Sequence, residues 1–164
     1  LRKSARLLTS TLYEVPEKIT VLLDHGEDLR KELAETRQRL VRFEFESRLD
    51  AAGSVKGVPV VVANLKDADN DTLRVMTDVF RDKYASGIVA LGSVVNERPT
   101  IICSVTEDLN ARGINAGEIV KSIAGVMGGS GGGRPVLAQA GGKDPSRLGE
   151  ALDQVIPFVE KNLQ

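Results

Sequence analysis

Apolar residues first recur at near-helical spacing at Leu1, Ala5, Leu8 and Leu12, so the chain opens inside a helix, as a piece of a longer polypeptide would. Ser10-Thr11 followed by Glu14-Val15-Pro16 predicts a turn, with Pro16 placed to open the next helix. From there the pattern is long and regular. Val15, Ile19, Leu22, Leu29, Leu33, Leu40 and Phe43 fall on an alternating four-three spacing, interrupted on the same seam by Gly26, Thr36 and Ser47. That is a heptad seam. A helix of about 30 residues is about 45 Å long, more than a small domain can cover, so part of the seam requires another helix. A second copy of the chain, a neighbouring segment of a longer chain, or the N-terminal helix folded back each satisfies this.

The helical period breaks at Ala51-Ala52-Gly53-Ser54 and Gly57, which puts a domain boundary between a helical connector (1–52) and a globular domain (53–164). The β-branched run Val58 to Ala63 predicts a buried strand. Asn70-Asp71 then caps a helix with Leu73, Val75, Val79 and Phe80 inward. A strand from Ile88 to Val95, a turn at Asn96-Glu97-Arg98 and a returning strand from Pro99 to Val105 follow. Asn115 caps a helix carrying Ile119, Val120, Ile123 and Val126, which stops at Gly128-Gly129. After the glycines, Pro135 to Ala140 predicts a short strand, and Asp144-Pro145 caps a last helix with Leu148, Leu152, Val155, Ile156 and Val159 inward, kinked or ended early by Pro157. Interleaved strands and helices define the fold class as α/β, an α+β mixed sheet with helices packed on it, preceded by the long helix or coiled-coil connector.

Composition narrows the chemistry. The 164 residues are 41% hydrophobic and 27% charged, with 4% aromatic residues and no Trp, so base stacking on large rings cannot dominate any nucleic-acid contact. A formal net charge of -1 provides no bulk attraction for a polyanion, and such binding would have to come from a local arrangement of donors. The single cysteine, Cys103, forms no internal disulfide, and the single histidine, His25, has no second histidine with which to share a metal. No run approaches the roughly 20 apolar residues that cross a bilayer, and no charged-then-apolar signal pattern opens the chain. The expectations are a cytoplasmic setting, no membrane, no metal and no cofactor.

The most informative stretch is Gly128-Gly129-Ser130-Gly131-Gly132-Gly133-Arg134-Pro135, since five glycines in six residues cost too much ordering entropy to be a casual loop. Without Cβ atoms, successive N–H groups can curl into a concave nest for an anion, or approach ribose and base edges. Arg134 adds a guanidinium fork, Gln139 a donor and an acceptor, and Lys143, after Gly141-Gly142, a second positive charge. The competing structural reading is that the glycines permit a tight helix-to-strand crossing. Nucleotide hydrolysis is disfavoured: no Gly-Lys-Ser/Thr closes the run, and it follows a helix instead of opening one after a strand.

Residues 128 to 143, Gly-Gly-Ser-Gly-Gly-Gly-Arg-Pro-Val-Leu-Ala-Gln-Ala-Gly-Gly-Lys, resemble the signature of the DHH-associated domain in alanyl-tRNA synthetases. The segment from Thr106 to Gly133, with its Arg-Gly-Ile-Asn-Ala-Gly sequence, is similar to the same family, as is the lead-in through Val15-Pro16-Glu17, so the resemblance covers essentially the whole chain. It implies the C-Ala domain, a non-catalytic C-terminal unit that binds the tRNA elbow and joins aminoacylation and editing on one tRNA. The implied partner is tRNA, alanine-specific in the parent ligase. The chain departs from the family motif at Val136, where an acidic residue usually follows Arg-Pro. DHH-type phosphoesterases share the domain but show histidine where Arg134 stands, which argues against phosphoesterase chemistry. One His and one Cys cannot supply the zinc cluster of the family's editing site.

The resulting expectation is a tRNA-binding surface of Gly128, Gly129, Gly131, Gly132, Gly133, Arg134, Gln139, Gly141, Gly142 and Lys143, with no catalytic residue. Its rivals are an oligomerisation module, forming a homodimer through the seam of Ile19, Leu22, Leu29, Leu33, Leu40 and Phe43, and a fragment of a DHH-type phosphoesterase. His25 reads as a solvated helix residue and Cys103 as a small core hydrophobe. Arg37, Arg39, Arg42 and Arg48 interleave with Glu32, Glu35, Glu44 and Glu46 as a solvated face, and Arg112 and Lys121 either extend the positive rim of the glycine segment or are ordinary surface charges.

Overall fold

With Pro16 in its first turn, where a missing N–H costs nothing, one unbroken helix runs from Val15 to Asp50 (α2) after a short helix over Arg2–Leu7 (α1). The computed structural model describes residues 2–9, 11, 13–50 and 52–163, and for Ser4 the backbone alone. The predicted positions Leu1, Ser10, Leu12 and Ala51 lie outside the described residues. The chain divides into two compact units, Leu1–Arg39 and Leu40–Gln164.

In the first unit the N-terminal segment folds back on the start of α2. Ala5 and Val15 are buried, the Lys18 ammonium donates to the carbonyls of Leu8 and Thr9 (3.2 and 3.3 Å), and Leu7, Leu8, Val21 and Leu22 line an apolar cleft. The seam is nevertheless open: Ile19, Leu22, Leu29 and Leu33 are all exposed.

The second unit contains a six-stranded mixed sheet. Its strands are β1 (Gly53–Val55), β2 (Val58–Asn64), β3 (Ile88–Val95), β4 (Arg98–Val105), β5 (Ser130–Arg134) and β6 (Leu137–Gly141), in the spatial order β1-β2-β3-β4-β6-β5. Only β2 and β3 pair in parallel, joined by helix α3 (Asn70–Lys83); every other neighbour is antiparallel. Asn96 and Glu97 both take positive φ (50° and 61°), which makes the β3–β4 connection a two-residue hairpin whose twist matches its strands. Helices α4 (Glu107–Ala111), α5 (Ala116–Ala124), α6 (Leu148–Asp153) and α7 (Val155–Asn162) complete the unit.

Alternation along the strands builds two cores. Val60, Ile88, Ala90, Ile101, Cys103, Ala138 and Ala140 face α5, α6 and α7, whereas Val61, Ala63, Val89, Leu91 and Ile102 face α3 and the last turns of α2. Those turns bury Val41, Phe45 and Leu49. Phe43 and Leu40, on the predicted seam, are 75% and 64% exposed, because Phe43 lies about 160° round the helix from Phe45. Tyr84 donates its hydroxyl to the Leu49 carbonyl at 2.7 Å, and Lys83 pairs with Asp50, tying the end of α2 to the end of α3.

Several local expectations change. Asp69, not Asn70, caps α3, accepting from the Thr72 amide at 2.8 Å, and the buried face is Leu73, Met76, Thr77 and Phe80, with Val75 turned outward. Asn115 and Asp144 cap as expected. Pro157 breaks the last helix upstream of itself, at Gln154, because its ring displaces the carbonyl four residues earlier, at Asp153. Two strands go beyond what the hydrophobic pattern predicts: β1, only three residues long, and β5, formed by the glycines themselves.

Candidate functional site

The glycine run is an edge strand and not a concave nest. Helix α5 ends in a 3-10 turn at Gly125–Met127, Gly128 takes the left-handed conformation (φ 62°), and the chain enters β5 at Ser130. The amides of Gly128 and Gly129 are consumed internally, donating to the carbonyls of Gly125 (3.0 Å) and Ala124 (3.1 Å), and those of Gly142 and Lys143 donate to Pro99 (3.0 Å) and Met127 (2.8 Å). The outward-facing backbone groups that remain are those of the free edge of β5, where alternate residues point away from the ladder.

Sterics sort the glycines. A Cβ on Gly129 would overlap Gly141, one on Gly142 would lie 2.4 Å from the Met127 Cβ, one on Gly131 2.7 Å from the Ala140 Cβ, and one on Gly133 2.5 Å from the Ala138 Cα. Gly131 and Gly133 face α5, whose own Gly117 comes within 3.5 Å of the Gly133 carbonyl by the same construction. These glycines let helix and strand approach. At Gly132 a Cβ would meet nothing within 4 Å. The fold gives no steric reason for glycine there, and Gly132 points to the opposite face.

That opposite face is open. Helix α3 covers β3 and β4 but leaves β6 and β5 bare, and the result is a groove of about 510 Å³ lined by Arg74 and Arg81 of α3 and by Ile102, Gly132, Arg134, Leu137 and Gln139 of the sheet. Ile102, Gln139 and Gly132 stand side by side in register across three strands, with Leu137 and Arg134 in the next row. Among the described residues none of the three guanidiniums is held in an ion pair with a carboxylate. The floor is apolar at Ile102 and Leu137 and bare at Gly132, Arg74, Arg81 and Arg134 supply planar bidentate donors, and Gln139 adds a carboxamide. A polyanion can lay its backbone against such a surface with its sugar or base edges over Gly132.

The structure thus gathers Gly132, Arg134 and Gln139 of the predicted set, with Gly133 through its backbone alone, and sends the rest elsewhere. Gly128, Gly129, Gly141, Gly142 and Lys143 sit at the far end of the β5–β6 pair, and Gly131 turns to the helical face. Neither Arg112 nor Lys121 lines the groove. Arg74 and Arg81 are absent from the sequence-derived set. Their seven-residue spacing puts them on one face of α3, a readable signal, but nothing local connects that face to a strand some fifty residues away. Cys103 is fully buried, and burial pushes its thiol up to about 12, which fits an inert core position. Among the described residues no group of three His, Cys, Asp or Glu side chains could hold a metal ion, and no helix is long and apolar enough to cross a membrane.

Comparison with known proteins agrees with this architecture. The DHHA1 domain family matches residues 57–161. An alanine–tRNA ligase of Pelotomaculum thermopropionicum is 42% identical over all 164 residues, and one of Desulforamulus reducens is 38% identical over the same length, each alignment covering 19% of the relative. The chain therefore spans about a fifth of the length of these relatives. Among solved structures, the C-Ala domain from Aquifex aeolicus alanyl-tRNA synthetase superposes with a TM-score of 0.61 at 24% identity, over 66% of this chain and 97% of that one, a likeness of fold. With the family match spanning well over half of the chain, including every strand from β2 to β6, the protein belongs to the DHHA1 domain family.

Proposed function

We propose that this chain is the non-catalytic tRNA-binding unit of an alanine–tRNA ligase, holding tRNA in the groove between α3 and the glycine strand. The carrying observation is that groove: three arginines without a carboxylate partner among the described residues line it together with a strand position, Gly132, where the fold does not need glycine. Similarity to alanine–tRNA ligases over the whole length supports tRNA as the polyanion. The surface contacted on the tRNA is its elbow, and binding there keeps one tRNA within reach of both aminoacylation and editing in the parent enzyme. The role needs no cofactor, and the setting is the cytoplasm, where translation runs.

Titration with tRNA at several salt concentrations tests this. Arg74→Ala, Arg81→Ala and Arg134→Ala should each weaken binding and lower the slope of log affinity against log salt by about one unit. A transcript with a disrupted elbow should bind as weakly as the triple variant. Equal affinities for wild type and triple variant would refute the groove.

A second role has its own support. Ile19, Leu22, Leu29, Leu33, Leu40 and Phe43 are exposed, up to 75% for Phe43, and such a stripe on one helix suits a homodimer. Sedimentation should show concentration-dependent dimers that Leu29→Gln with Leu33→Gln abolishes; a wild-type monomer at high concentration rules the seam out.

A further inference from the structure

A second, smaller cleft of about 230 Å³ opens where α3 begins, lined by Asp69, Asn70, Ser93, Val95, Arg98 and Thr100. Ser93, in β3, is 1% exposed, and its hydroxyl is a buried side-chain polar atom with no hydrogen-bond partner among the described residues. The other buried hydroxyls are all satisfied: Thr77 donates to the Arg74 carbonyl, Ser104 to that of Val136 and Thr106 to that of Gly87. A buried orphan hydroxyl is costly, and alanine would fill the same place without that cost. The Ser93 hydroxyl therefore makes no hydrogen bond that holds the fold, and the residue lines a cleft.

The lining decides what the cleft can take. Asp69 contributes a carboxylate, Arg98 a guanidinium, Asn70 a carboxamide, and Ser93 and Thr100 hydroxyls, with Val95 as an apolar wall. Asp69 stays ionised because hydrogen bonds from the Thr72 side chain and backbone hold its carboxyl below the usual range. A bare phosphate would meet that carboxylate, and a lone ammonium would meet Arg98. A planar, neutral group with donors on one edge and acceptors on another satisfies both. Guanine has this pattern: N1–H and N2–H donate to a carboxylate while O6 and N7 accept from a guanidinium. The volume admits one planar base and little more.

The cleft is also connected to the groove. Ser93 pairs with Thr100, Thr100 with Gly141 and Gly141 with Ser130, so a row on the open face of the sheet leads from the cleft to the start of the glycine strand. Building on the groove reading, we infer that this cleft receives an unpaired guanine base from the nucleic acid lying along β5 and β6.

The test uses the isotope-labelled 164-residue chain titrated with guanosine monophosphate, inosine monophosphate and inorganic phosphate, followed through the amides of Asn70, Ser93 and Thr100. Guanosine monophosphate should shift them saturably and bind about tenfold tighter than the inosine analogue, which lacks the N2 amino group, as expected for one unmatched buried acceptor. Inorganic phosphate should leave them still. Ser93→Ala should weaken guanosine monophosphate by about tenfold while its melting temperature holds or rises. Asp69→Asn retains a capping side chain and should weaken it as well. Arg134→Ala should leave the mononucleotide unaffected while weakening tRNA, so unchanged tRNA binding in that variant with a saturable cleft would sink the groove and spare the base site. Equal shifts with phosphate, or guanosine monophosphate binding unchanged by Ser93→Ala, would overturn the inference.

Discussion

Placing a methyl group at successive positions of the glycine strand separates packing from binding. At Gly132 the added Cβ meets nothing within 4 Å, and replacing glycine by alanine in extended backbone reduces the entropy of the unfolded chain, so Gly132→Ala should be neutral or stabilising by about 0.4–1 kcal/mol. At Gly131 the same methyl lies 2.7 Å from the Ala140 Cβ and 3.0 Å from the Gln139 carbonyl oxygen, and at Gly133 it lies 2.5 Å from the Ala138 Cα. Backbone must shift in both, at a cost of about 1–3 kcal/mol each. With about 2–4 °C of melting temperature per kcal/mol for a chain of this size, Gly131→Ala and Gly133→Ala should melt several degrees below wild type, whereas Gly132→Ala should not. The binding order reverses: Gly132→Leu, whose side chain fills the groove without touching the core, should lose most of the tRNA affinity at wild-type stability. Circular dichroism melts and tRNA titrations on the same preparations decide it. Should Gly132→Ala melt as low as Gly131→Ala, the assignment of strand faces is wrong; should Gly132→Leu bind tRNA as wild type does, the groove is not the binding surface.

Phe45→Ala should cost about 3–5 kcal/mol, as expected for a fully buried aromatic, whereas Phe43→Ala, two residues away, should leave the denaturation midpoint of the monomer nearly unchanged. Asp69→Ala removes the cap of α3 and should cost about 1 kcal/mol at neutral pH. Because the Asp69 carboxyl is held below its ordinary value of 3.8 by Thr72, that contribution is complete above this value and is lost as pH falls through the lower folded value. Melts of wild type and Asp69→Ala should therefore converge in acid; a difference that persists there contradicts the charge-based cap. Cys103, buried with its thiol pushed up to about 12, should resist a thiol reagent in the folded chain and react on unfolding, so rapid labelling of the native protein would contradict its place in the core.

The elements with their own periodicity are legible in the amino-acid sequence: the long helix, the strands from Val58, Ile88 and Pro99, the caps at Asn115 and Asp144, and the break imposed by Pro157. Each depends on interactions among residues a few positions apart, which a sequence carries directly. The heptad spacing points to Leu40 and Phe43 as the packing face at the end of α2, whereas Val41, Phe45 and Leu49 are buried there. Both stripes are present in the sequence, and only the position of the sheet selects between them. The glycine run is legible as a place of close approach, yet it carries no alternation, so its identity as a strand depends on β6 as a partner. The sequence by itself determined that nearly side-chain-free backbone stands beside Arg134. Tertiary structure alone decided that Arg74 and Arg81 face it and that Gly132, among its neighbours, points outward, because register between strands and the seating of a helix on a sheet are set by contacts between residues far apart in the chain.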